Sequence, residues 1–154
     1  MADRTQDTQA AGTWIDHDRA PAPDSAEQRI ALIRRLYDST IEQELALDVY
    51  AEDLIWHAPE GRGRLMGTHS SRAYMDEAFA YVVSVTNEFD SHIGPDEILA
   101  DEFDTLSFNR DFGTRASDDE PFNFNVAIRW KIENGQIKEM YEYIQDEEHK
   151  AKFF

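Results

Sequence analysis

The stretch FNFNVAIRWKI, residues 122–132, alternates without a break. Phe122, Phe124, Val126, Ile128, Trp130 and Ile132 fall on one parity, and polar residues with Ala127 on the other. Such period-two patterning is the mark of a strand with one buried face and one wetter face. ENGQ (133–136) follows, and Asn-Gly is the strongest short signal for a two-residue hairpin turn. IKEMYEYIQ (137–145) then returns as the partner strand. A hairpin of this kind is stable only if something apolar covers its inner face, so the rest of the chain must supply a second layer.

The first half supplies helices. Ser25 with Gln28 forms a capping box, after which Ile30, Ile33, Leu36 and Tyr37 recur at helical spacing. A second short helix is expected to carry Leu45, Val49 and Tyr50. LIWHAP (54–59) reads as a short strand stopped by Pro59, and EGRGRLMG (60–67) as a loop. A third helix is expected over 70–85, with Met75, Phe79, Val82 and Val83 on one face. Residues 87–100 and 104–115 predict two more strands, with ASDDEP as a turn. No internal repeat is visible. Helices first and strands second imply an α+β fold, a curved antiparallel β-sheet with helices closing one face. Residues 1–24 are polar and end in RAPAPD, which predicts a flexible N-terminal arm; Trp14 and Ile15 are its exceptions. Residues 25–154 suffice for a single domain.

Charge and composition narrow the partners. A net charge of −17 leaves no basic footprint for nucleic acid and disfavours an anionic membrane surface. No apolar run is long enough to span a bilayer, and MADRTQDTQA lacks the apolar centre of a signal peptide. The absence of cysteine removes disulfides, thiol catalysis and thiolate metal sites, and fits a cytoplasmic location.

Four segments carry a resemblance: LYDST, VYAEDLIWHAP, GRLMGTHSSRAY and ENGQIKEMYEYIQD. In this order the chain resembles the nuclear transport factor 2-like superfamily, in its SnoaL-like, ketosteroid-isomerase-related branch, over roughly residues 26–154. The resemblance implies a cone-shaped cystatin-like fold, in which N-terminal helices pack on the curved sheet and enclose a deep apolar pocket. It also implies a homodimer through the outer sheet face. The fold hosts isomerases, cyclases, dehydratases, epoxide hydrolases and non-catalytic binding domains, so individual residues must discriminate.

Ketosteroid isomerases place a general-base Asp before a Pro, and here Ala58 precedes Pro59. Their helix Tyr is matched by Tyr37, while the position of their protonated Asp falls near the apolar Ile128. Limonene epoxide hydrolase uses Arg-x-Asp on one strand and a second Asp on the last. The matching positions here are Asn109, Asp111 and Glu142, and Trp56 and Ala58 take the places of two residues that hold the water. The carboxylate pair is kept and its bridging Arg is lost. Two close buried carboxylates without that Arg share a proton, and one pKa rises.

Everything then depends on register. If Asn109 and Asp111 face inward, they join Glu142, which lies between Met140 and Ile144 on an apolar face. Phe124, Val126, Met140 and Ile144 become the pocket walls. Phe108, Phe112, Tyr141 and Tyr143 lie outside, as a dimer interface would require. In the opposite register Phe108 and Phe112 fill the core, and Asn109 and Asp111 face water. His57 stands at the pocket mouth; strict alternation puts Trp56 inside and His57 outside, and a bulge before Pro59 would reverse them. His17, His69, His92 and His149 read as solvated. A metal site from His57, Asp111 and Glu142 lacks any paired-His spacing, and no metal or other cofactor is expected.

The expected function is therefore binding of a small hydrophobic molecule, with cofactor-free acid–base catalysis upon it. Glu142 is the candidate base and Asp111 the partner acid. Asn109, Tyr37 or His57 orient the substrate or stabilise developing charge. Two alternatives stand beside it: a non-catalytic ligand-binding or assembly domain, and an epoxide hydrolase with an altered Asp-Arg-Asp site.

Overall fold

The computed structural model describes residues 20–154, so the expectations for Trp14 and Ile15 lie outside the described residues. Helix α1 spans Ala26–Ile41, and the Ser25–Gln28 capping box closes its N-terminus in both directions. Its buried face carries Ile33, Leu36 and Tyr37. Arg29 is also buried, because its guanidinium donates to Thr105 Oγ1 (2.7 Å) and to the Asp101 carbonyl. The chain just before α1 is pinned as well: Ala22 N–H donates to the Glu102 carbonyl (2.9 Å), and Asp24 accepts the Gly135 N–H (3.1 Å).

The expected second helix is not formed. Only Leu47–Val49 make a turn of 3-10 helix, and Tyr50 already opens strand β1 (Tyr50–His57). The aromatic Tyr50 favours the pleated sheet, where it is buried, and Val49 is buried in the turn before it. Strand β2 (Thr68–Ser70) pairs with β1, and helix α2 (Arg72–Val85) follows, capped by Ser71. Strands β3 (Thr86–Ala100), β4 (Thr105–Arg115), β5 (Pro121–Glu133) and β6 (Gln136–Ile144) form an antiparallel meander. In the β5–β6 turn Asn134 and Gly135 take φ of 54° and 71°, the left-handed pair that a type I′ hairpin requires. The chain ends in a helix the sequence pattern did not announce, α3 (Glu147–Phe153), with Asp146 as its cap.

The sheet order is β2-β1-β6-β5-β4-β3, and β1 pairs with β6 in parallel. The expected curved antiparallel sheet is present, with one parallel junction between β1 and β6. The reason is connectivity: α2 carries the chain across the sheet before the meander starts, and such crossovers are what parallel pairing needs.

The register question is settled by burial along β4. Thr105, Ser107 and Asn109 are buried, while Leu106 and Phe108 are exposed. Asn109 pairs with Val126 and Asp111 with Phe124, so both share the parity of the apolar face of β5. Tyr143 and Phe108, 58% and 46% exposed, lie on the opposite face.

Candidate functional site

The inner sheet face, α1 and α2 line an open-mouthed cavity of about 160 Å³, to which Lys150 of α3 and Phe154 also contribute. Phe124, Val126, Met140, Ile144 and Trp56 are among its walls, and Asn109, Asp111, Glu142 and Tyr37 contribute its polar atoms. Lys150, on α3, completes the polar set.

Two polar clusters result. In the first, Asp111 Oδ1 accepts from Ser91 Oγ (2.5 Å) and Asn109 Nδ2 (2.8 Å). Asn109 in turn accepts from Tyr37 OH (2.7 Å), whose ring stands edge-on to Trp130. Burial raises the Asp111 carboxyl to about 6; the hydrogen bond from Ser91 opposes this, and the charge of Glu142 adds to it. Burial also holds the Tyr37 phenol well above its ordinary value, so it remains a neutral donor. No hydrogen bond to Asp111 Oδ2 is found among the described residues; both described bonds go to Oδ1.

In the second cluster Lys150 Nζ donates to Glu142 Oε1. Both side chains are less than one-tenth exposed. The same ammonium lies over the face of Trp56, 5.5 Å from the ring centroid. A buried carboxylate without a counter-charge is very costly, and α3 supplies that charge from outside the sheet.

This arrangement corrects the expected shared proton. Asp111 and Glu142 line one cavity, but β5 lies between their strands and no hydrogen bond joins them. The loss of the bridging Arg at Asn109 does not leave two bare carboxylates, because Lys150 sits with Glu142. The Asp111 carboxyl is raised mainly by its apolar surroundings rather than by a close like charge.

His57, proposed from sequence as a candidate at the mouth, does not reach the cavity. No bulge reverses the end of β1: Trp56 points in, and His57 stacks on Tyr141 at 4.4 Å and shares a 2.8 Å contact with Glu139. Among the described residues no group of three or more His, Cys, Asp or Glu is placed to hold a metal ion. No described helix is long and apolar enough to cross a membrane.

Lys150 and Ser91 were missed by sequence reasoning. Ser91 sits in an irregular edge strand whose parity shifts twice. Lys150 stands in a short charged tail, DEEHKAKFF, that reads as solvated. The available signal was Asp146 as a cap, with Lys150 three and four residues before Phe153 and Phe154.

No protein-family model matches the chain, and no curated protein matches it. Solved structures do. Bal32a, from a soil-derived mobile gene cassette, is 22% identical with a TM-score of 0.73, covering 84% of this chain and 98% of its own. An NTF2-like protein from Anabaena variabilis is 20% identical with a TM-score of 0.62, covering 77% and 87%. A SnoaL-like protein from a Jannaschia species is 9% identical with a TM-score of 0.64, covering 82% and 91%. At these identities the likeness is one of fold.

Proposed function

On the nuclear transport factor 2-like fold that this chain has, we propose that it binds a small hydrophobic molecule in the cavity and acts on it by cofactor-free acid–base chemistry. The observation that carries the reading is Asp111: a carboxyl set in an apolar wall, fixed by two donors through Oδ1, with burial raising it to about 6. A general base is most effective when its pKa lies near the working pH. Asp111 then takes the base role first assigned to Glu142, which is tied to Lys150. Asn109 and Ser91 hold the Asp111 carboxyl in place, and Tyr37 fixes Asn109.

Cavity size bounds the ligand. An apolar cavity of about 150 Å³ accommodates benzene, and about 160 Å³ is available here. The part of an occupant that this cavity buries is therefore about one ring in size. Replacing Asp111 by Asn should lower turnover of a responsive cyclic enone or epoxide by roughly 10²–10⁴-fold, with the circular dichroism spectrum unchanged. Full activity in that variant would remove the base.

One observation favours a second reading, a binding domain without catalysis: Tyr37, Asn109, Ser91, Glu142 and Lys150 are all hydrogen-bonded within the protein. A ligand that binds while no cyclic enone or epoxide is turned over would favour it. We further propose a homodimer through the outer sheet face, where Phe108, Tyr143, Leu99 and Leu106 are exposed. Light scattering should then give a dimer mass for the wild type and a monomer mass for Phe108→Asp.

A further inference from the structure

Three carboxylates around the sheet have a cation in place: Glu142 has Lys150, Glu139 has Lys131 and Asp104 has Arg129. Asp111 has two neutral donors instead, Ser91 and Asn109, both on Oδ1. Lys150 eases its charge from a distance, and Glu142 opposes it. The second oxygen, Oδ2, has no partner among the described residues, yet it is not sealed in. Trp56 Nε1 is the one fully buried side-chain polar atom without a partner among the described residues, so Oδ2 keeps surface open to the cavity that Asp111 lines. A buried carboxylate without a counter-charge is costly, and a ligand can bring that charge.

The charge of the cavity selects the charge of that ligand. Its charged side chains are Asp111, Glu142 and Lys150, two carboxylates against one ammonium. The net charge of −17 draws cations towards the mouth and repels anions. A bare metal ion needs several oxygens, and among the described residues no group of three or more His, Cys, Asp or Glu is placed to hold one. An organic ammonium needs one carboxylate oxygen and an apolar surface for its carbon atoms. Phe89, Phe124 and Val126 supply that surface, and Phe124 is the cross-strand partner of Asp111.

We propose that the cavity takes an organic amine of about one ring, whose ammonium donates to Asp111 Oδ2 while the ring lies against Phe89, Phe124 and Val126. Asp111 is then a specificity-determining residue, which selects a cation over a neutral molecule of the same shape. The inference rests on the binding reading above and is independent of turnover, because it concerns affinity alone. The bound ammonium occupies an oxygen that would otherwise accept a proton, so an amine competes with any substrate on which Asp111 acts.

The test compares two probes of one shape, benzylamine and benzyl alcohol, at about pH 7.5, where an aliphatic amine is protonated. Wild-type protein should bind the amine at least about tenfold more tightly, the worth of a charge-assisted hydrogen bond. Asp111→Asn keeps the shape of the side chain and removes its charge; it should bring the two probes within about twofold of each other. In carbon-13 spectra of the wild type, the Asp111 side-chain carboxyl should move with the amine and not with the alcohol. That measurement decides the matter even if the variant does not fold. An Asp111 resonance indifferent to the amine would overturn the proposal. So would a preference that survives in Asp111→Asn, since the amine would then sit on the acidic surface. Binding of the alcohol with no gain for the amine would overturn this inference and leave the binding reading standing; binding of neither probe would overturn both. A lack of turnover of enones and epoxides, with the amine preference intact, would leave the proposal standing and count against catalysis alone.

Discussion

Two carboxylate clusters lie on opposite faces of the same sheet, and they come out differently. Inside, burial dominates: the Asp111 carboxyl rises to about 6 although Ser91 and Asn109 donate to it. Outside, burial also pushes Glu139 upward, but hydrogen bonds from Tyr141, His57 and Lys131 outweigh it and hold that carboxyl below its ordinary range. Glu139 collects three side-chain donors, two of them on groups that are or can become cationic. Asp111 has two neutral ones. What separates the two carboxyls on this sheet is the charge of their donors, rather than their strand.

The largest break in the comparison should come at Lys150. Replacing it by Met strands Glu142 in apolar surroundings and should cost about 3–5 kcal/mol in a urea titration. Lys131→Met, which removes the corresponding cation outside, should cost less than about 1 kcal/mol. Next comes pH. An unfolded aspartate loses its proton near pH 4, whereas folded Asp111 does so at about 6. Between those values the folded chain binds the extra proton, so this residue's contribution to stability falls as pH rises, by about 3 kcal/mol in all. Asp111→Asn should remove that slope from a stability profile measured across the window.

A smaller effect is expected at Asn109, which accepts from Tyr37 and donates to Asp111. Asn109→Ala leaves both partners short of a bond and should cost roughly 1–3 kcal/mol by thermal unfolding. The smallest belongs to Glu139→Gln, where Tyr141 and His57 turn to solvent; a change below about 1 kcal/mol is expected. A cost as large as that of Lys150→Met would mean that the two faces do not differ as described.

Much of the fold was legible because hydrophobic period and turn chemistry are local properties. The alternation of 122–132 and the Asn-Gly turn locate β5 and β6 within a residue or two of their ends. Glu142 was conspicuous for the same reason, as a charge on an apolar parity. What failed was non-local. Whether β1 pairs in parallel with β6 is decided by the path of α2, and Tyr50 is claimed by the sheet against its helical spacing. Lys150 was invisible because a seven-residue helix owes its existence to packing on Phe122 and Phe124 rather than to its own pattern.

The pairing of Tyr50 with Ile137 joins the early part of the chain to its last strand. The cavity therefore has no complete wall until that long-range contact closes, and such contacts are slow to form. A ligand has nothing to hold while the chain is still collapsing. Its effect should be seen in the escape rate from the native state: bound protein should unfold more slowly and refold at an unchanged rate.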